Sequence, residues 1–374
     1  MKQRIVVSPD KFKGSLTGQE VARAIARGVA RTAPELDVVE LAIADGGEGT
    51  VDAALGAGFA EVQVTAPGPI GEPLRTSFAR LGDKAVVEMA VICGLPRMAR
   101  GALRPMKASS RGLGVVVGLA LDAGCREIVI GIGGSASTDG GAGFLRGLGA
   151  RLLDASGQDV PDGGGSLHDV VALDLSAMHP ALGGATIVVA SDVDNPLCGP
   201  TGAAHVYAPQ KGADLEQVQM LDAALKHWAD VVGDAAGRDL RGAAGAGAAG
   251  GVGLAAMAVL GAELRPGIEV MLEMIDLDSH LDGAAAVITG EGSLDSQSLS
   301  GKAPIGVARL AGRRGVPAFA IAGRSLLTDE QGQASGFEAI YSLSDLEADP
   351  AVCMRDADRL VQAAAAQLAA DHLV

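Results

Sequence analysis

The apolar run Ile128-Val129-Ile130 empties directly into Gly131-Ile132-Gly133-Gly134-Ser135-Ala136-Ser137-Thr138-Asp139-Gly140-Gly141, and no other stretch limits the fold as much. A β-branched run stopped by glycine reads as a strand entering a loop whose backbone N–H groups are bare. A helix starting there adds its positive end, so an anion can be held, phosphate first. The spacing of glycines alone proves little, because 54 of the 374 residues are Gly. Gly245-Ala246-Gly247-Ala248-Ala249-Gly250 has the same spacing with no strand pattern before it, and it reads as part of a flexible glycine loop from Gly242 running into a soluble helix.

The strand-to-loop grammar recurs. Ile5-Val6-Val7-Ser8 is a short strand, and Thr17-Gly18-Gln19-Glu20 is a capping box opening a helix with Val21, Ile25 and Val29 on one face, until Pro34 forbids continuation. Val38 to Ile43 is a second strand, followed by a short helix through Leu55. Near the end, Ala284 to Thr289 is a strand, Ala303 to Arg314 a helix, and Val316 to Ile321 and Glu338 to Leu343 two more strands. Asp349-Pro350 then caps an Ala-rich helix that runs to about Leu373. These five strands predict one flavodoxin-like parallel layer.

Between them, strands near Glu61 to Thr65, Leu74 to Leu81, Ala85 to Met89, Ile128 to Ile132 and Thr186 to Ser191 mix hairpin and crossover spacing. The expected organisation is therefore α/β: a discontinuous domain, 1–60 and 281–374, interrupted by an inserted α/β domain, 61–280.

A net charge of −15 argues against a nucleic-acid surface, so any anionic ligand needs a local cluster of amides and lysines. The four cysteines, Cys93, Cys125, Cys198 and Cys353, are too dispersed for a zinc site or a disulfide framework. The N-terminal apolar run is too short for a secretory signal, and 242–262 lacks aromatic belts and basic flanks. A cytoplasmic protein with no membrane span is expected. The six histidines are scattered, and Trp228 with Leu221, Leu225 and Val232 has the spacing of a core-facing helix.

Ligands in an open parallel sheet gather beyond the carboxyl ends of strands. There this chain places Asp10-Lys11-Phe12-Lys13-Gly14-Ser15, Asp45-Gly46-Gly47-Glu48, Gly290-Glu291-Gly292 and Ser191-Asp192-Val193-Asp194. Asp192 and Asp194 share a face if the strand's period of two continues, and two such acids repel unless a cation lies between them. Pro209-Gln210-Lys211-Gly212 and Ser300-Gly301-Lys302 add lysines beside glycine. Amides and lysines for phosphates, carboxylates for Mg²⁺ and one carboxylate as base are what phosphoryl transfer requires. A structural reading competes at each position: Asp45 and Asp139 as turn or helix caps, Lys11 and Lys13 as solvated side chains.

Ser8-Pro9-Asp10-Lys11-Phe12-Lys13-Gly14-Ser15-Leu16, Ala44-Asp45-Gly46-Gly47-Glu48-Gly49-Thr50, Gly131 to Gly143, Asp192-Val193-Asp194-Asn195-Pro196-Leu197, Pro209-Gln210-Lys211-Gly212-Ala213 and Thr289-Gly290-Glu291-Gly292 resemble, in order along the chain, the type 1 glycerate kinase family. The resemblance implies transfer of the ATP γ-phosphate to the 2-hydroxyl of D-glycerate with Mg²⁺, giving 2-phosphoglycerate. It also implies a flavodoxin-like domain interrupted by a restriction-enzyme-like one. Leu113 and Val115 stand where family members often have Thr and Glu, a departure that bears on substrate identity.

On this reading Asp192 is the general base and Lys13 neutralises the transferring phosphoryl group. Asp45 and Glu291 hold Mg²⁺, directly or through water. Gly133, Gly134, Ser135, Lys211 and Lys302 hold phosphates, and Lys11 takes the glycerate carboxylate. Phosphorylation at the 3-hydroxyl stays open, as does a homo-oligomer. A rival reading is an NAD(P)-dependent oxidoreductase, since Gly131-x-Gly133-x-x-Ala136 follows a strand and Asp154 lies near the distance of a ribose contact.

Overall fold

The computed structural model describes residues 3–99, 102–296, 298–300 and 302–374, so Gly301 of the Ser300-Gly301-Lys302 loop lies outside the described residues. In chain order the strands are β1 Arg4–Val7, β2 Asp37–Glu40, β3 Ala60–Pro67, β4 Pro73–Leu81 and β5 Lys84–Glu88. They continue with β6 Glu127–Gly131, β7 Arg151–Leu153, β8 Ala172–Asp174, β9 Thr186–Ala190 and β10 Glu263–Arg265. The last three are β11 Ala284–Leu294, β12 Ala318–Ser325 and β13 Phe337–Ser342.

Two compact units result. One comprises Met1–Asp45, Asp52–Gly58 and Ile268–Val374; the other comprises Gly46–Val51 and Phe59–Gly267. In the first, five strands lie in the order β13-β12-β11-β1-β2, all pairs parallel. Read from the β2 edge, this is the 2-1-3-4-5 order of the flavodoxin-like sheet, with the direction of winding reversing between β1 and β11.

Strand alternation covers both faces of that sheet. Ile5, Val7 and Ile288 turn to one core with Val21, Ile25 and Val29 of the helix Gly18–Thr32 and Leu360, Val361 and Leu368 of Ala357–His372. Val6 and Val287 turn to another with Ile305, Val307 and Leu310 of Ala303–Arg313. Thr17 closes the expected capping box with Glu20, and the helix stops at Thr32, before Pro34. β2 ends at Glu40 rather than Ile43, although the Leu41 and Ile43 N–H groups still donate to the Val7 and Pro9 carbonyls beyond it. The C-terminal helix is broken into Pro350–Arg355 and Ala357–His372 at Asp356, whose φ of −103° and ψ of 19° are not helical.

The second unit holds a six-stranded mixed sheet in the order β10-β9-β6-β5-β4-β3. β3-β4-β5 is an antiparallel meander, and β5, β6, β9 and β10 run parallel. A single core joins Phe78, Val87, Ile130 and Val189 to Leu113 and Val117 of the helix Arg111–Asp122 and to Trp228 of Leu215–Ala236. Trp228 is fully buried and donates from Nε1 to the Gly140 carbonyl at 2.9 Å, so it is core as its spacing predicts.

The glycine-rich stretch from Gly242 is packed rather than loose. Gly250 accepts the Gly140 N–H at 2.8 Å, and a Cβ on Gly250 would lie 2.2 Å from the Ser137 carbonyl oxygen. Its glycines let two loops touch backbone to backbone. Among the described residues no helix is long and apolar enough to cross a membrane, and all four cysteines are free thiols.

Candidate functional site

In the first unit the chemistry collects at the carboxyl ends of β1, β2 and β11. The Asp10 N–H donates to the Gly290 carbonyl at 2.8 Å, which ties the loop after β1 to the strand position beside Glu291. Lys11 serves the same acid twice: its N–H donates to Asp10 Oδ1 at 2.7 Å and its Nζ stands 3.6 Å from that oxygen. Burial, together with the charges of Asp45 and Glu291, outweighs Lys11 and pushes the Asp10 carboxyl up to about 7. Burial likewise raises Glu291, opposed by Ser298 and by Lys302, whose Nζ is 3.9 Å from Glu291 Oε2.

Glu291 Oε1 is buried and has no hydrogen-bond partner among the described residues. Three carboxylates that feel one another and one orphaned carboxylate oxygen make a site short of positive charge. Its oxygen-only donor set suits a hard cation such as Mg²⁺. No group of three acid, histidine or cysteine side chains among the described residues could hold a metal ion unaided. Mg²⁺ needs none, since it keeps waters and phosphate oxygens beside one or two carboxylates.

Lys13 is exposed, one residue before Gly14 in a tight loop closed by reciprocal Phe12 and Leu16 backbone bonds and pinned by Ser15 Oγ donating to the Met354 carbonyl at 2.7 Å. The structure thus gathers Asp10, Lys11, Asp45, Glu291 and Lys302 in one unit, at the switch point of its sheet and its neighbouring strand end. Asp10 was missing from the residues singled out by sequence. Its signal was present: an acid three residues past the end of β1, adjoining a lysine.

In the second unit the turn Gly133-Gly134 caps β6. Gly133 donates to the Gly46 carbonyl at 3.3 Å, Leu95 donates to the Gly134 carbonyl at 2.8 Å, and Ala136 donates to the Cys93 carbonyl at 3.1 Å. Gly134 has φ +71°, which suits glycine. Among the described residues no protein acceptor takes the N–H of Gly134 or of Ser135. Two adjacent free amides next to a left-handed residue form the kind of concavity that binds anions.

The expected helix at this loop differs. It begins only at Ala142 and has six residues. Its first amides, together with that of Gly141, are already engaged: Asp139, fully buried, accepts from Gly141 and Gly143 and from Ser110 N and Oγ. The anion at this helix start is the protein's own carboxylate. The strand-turn-helix unit of a dinucleotide fingerprint is therefore not formed, and Asp154 spends its carboxylate on Ser156 and Gln158 in a local turn.

Lys211 is buried behind the turn, where Nζ donates to Ser135 Oγ at 2.8 Å and to the Ser137 carbonyl at 2.5 Å. Burial pulls its ammonium down to about 8, against the upward pull of Asp139. Asp192 and Asp194 are both exposed, but β9 ends at Ala190, so the strand's alternation does not reach them. Asp192 Oδ1 accepts the Gly267 N–H at 2.7 Å, at the first residue of the helix Gly267–Met274. Glu88, at the end of β5 and also absent from the sequence-derived set, is buried and accepts from Gly49 and Val51, fastening the segment after Asp45. Leu113 is wholly buried in the core of this unit and Val115 packs against that core, so their apolar character has a packing role.

A family model described as the glycerate kinase family matches residues 5–373. A glycerate 2-kinase of Escherichia coli (strain K12) is 44% identical over 345 residues, 91% of this chain and 90% of its own length. A glycerate kinase of Bacillus subtilis (strain 168) is 43% identical, covering 91% and 90%. The crystal structure of a candidate glycerate kinase 2 from Salmonella typhimurium LT2 superposes with a TM-score of 0.88 at 40% identity, over 99% of this chain and 98% of that one. Matched along nearly its whole length in sequence and in fold, the chain belongs to the glycerate kinase family and is a kinase.

Proposed function

We propose that this kinase transfers the γ-phosphate of ATP to the 2-hydroxyl of D-glycerate, giving 2-phosphoglycerate. The observation that carries the reading is the acid cluster of Asp10, Asp45 and Glu291 with its orphaned Glu291 oxygen, a site short of a cation such as the Mg²⁺ that accompanies ATP. The free amides at Gly134 and Ser135 in the other unit support phosphate binding there. The glycerate 2-kinase relative supports the choice of substrate.

Asp192 is our choice for the base that accepts the hydroxyl proton of the substrate. It is exposed, and one carboxylate oxygen is oriented by the Gly267 amide. Lys13 neutralises charge on the phosphoryl group in flight, and Lys11 takes the substrate carboxylate. Asp45 and Glu291, with Asp10 beside them, would hold Mg²⁺; when bound, that ion offsets phosphate charge. The turn 133–135, with Lys211 behind it, and Lys302 hold phosphate oxygens. The reading is of a cytoplasmic enzyme with small-molecule partners, organised as domains 1–60 with 281–374 and 61–280.

Coupled measurement of ADP release tests it. Release that depends on D-glycerate, and exceeds release with L-glycerate, lactate or tartrate, is expected. Equal turnover with any hydroxy acid, or none with glycerate, contradicts the choice of substrate.

A further inference from the structure

We infer that Lys211 is a positioning residue: its buried ammonium grips Ser135 Oγ and the Ser137 carbonyl from behind, so that the Gly134 and Ser135 amides face a phosphate that Lys211 itself does not touch. The inference rests on the proposed role of this turn in holding phosphate.

Three observations carry it. Lys211 is only 2% exposed, so its ammonium reaches solvent only if the surrounding chain unpacks. Its Nζ is spent on two acceptors in the segment immediately after the glycines, at 2.8 and 2.5 Å. Its own backbone is fixed as well, the Lys211 N–H donating to the carbonyl of the buried Ala208 at 3.0 Å. A buried ammonium is costly unless hydrogen-bonded, and here the bonds go to the loop rather than to a carboxylate. Asp139 acts on the same ammonium through its field while tying down the far end of the loop at Gly141 and Gly143. The glycines leave the turn conformationally free, and Lys211 removes that freedom on the side away from the ligand.

The test is a double-mutant cycle on ATP affinity, read as KM for ATP and as ADP dissociation constant, with thermal melting of every variant. Lys211→Met and Ser135→Ala should each weaken nucleotide binding, Lys211→Met by about tenfold, the scale of a lost charge-assisted hydrogen bond. The double variant should be no weaker than Lys211→Met alone, because both act through one contact. Fully additive losses would mean that Lys211 reaches the nucleotide independently of Ser135, which overturns the positioning role and leaves the turn as a phosphate site. Unchanged nucleotide affinity in all three folded variants would overturn the phosphate reading of the turn itself. Should Lys211→Met not fold, Ser135→Ala decides: a folded Ser135→Ala with unaltered ATP affinity ends the proposal, and recovery of affinity in Ser135→Thr, which restores the hydroxyl, upholds it.

Discussion

In the proposed mechanism Asp192 has two tasks that a single substitution separates. Asn keeps an oxygen for the Gly267 amide but loses the basic carboxylate. Asp192→Asn should therefore melt like the parent while kcat falls by at least ~10²; a parental kcat removes Asp192 as the base. Lys211 gives a pH signature. Its folded value of about 8 lies below the ordinary value of 10.5. Between these the unfolded chain holds a proton that the folded chain has lost, so this group adds stability as pH rises through that window. Denaturant titrations at pH 7.5 to 10 should show a rise in the parent relative to Lys211→Met; identical pH slopes contradict it. At this scale the sequence displayed the acids and lysines of the strand ends plainly. It could not display which of them face inward. Lys211, an apparent surface lysine next to glycine, is buried, and Asp10 gains its weight from Asp45 and Glu291, far away in sequence.

Among elements, those with a local signal were legible. The capping box at Thr17 needs only four residues, and Thr17→Ala should lower stability by about 1 kcal/mol with kcat unaltered; a change under a few tenths would show the cap to be idle. Glycines sort by surroundings rather than by motif. Gly250 combines φ +73° with a Cβ position 2.2 Å from a backbone oxygen, whereas a Cβ on Gly183 meets open space without a left-handed φ. Gly250→Ala should cost more than ~3 kcal/mol and Gly183→Ala under ~1 kcal/mol in the same denaturation assay; equal costs would refute the packing account of the glycine stretch. The three-residue strands β7, β8 and β10 were not legible, because they are too short to show a period and exist through their partners. The start of the helix after the 131–141 loop was misread as an open anion site for a related reason. Glycine composition suggested an anion site at its start, and only the fold reveals Asp139 filling it.

Over the whole molecule, alternating strands and helices announced the α/β class, and the long separation between β2 and β11 announced an insertion. Strand order was not visible, since pairing β1 with β11 joins residues nearly three hundred positions apart. That pairing creates the switch point at which Asp10 and Glu291 meet. The net charge of −15 is consistent with small-molecule partners gathered by local sites and not by a basic surface. The central claim is phosphoryl transfer to one particular hydroxyl, and phosphorus NMR of the product formed from ATP, Mg²⁺ and D-glycerate tests it most directly. A phosphoester coupled to the single methine proton of C2 is the predicted result. A phosphoester coupled to the methylene protons of C3, or no phosphoester at all, would contradict it.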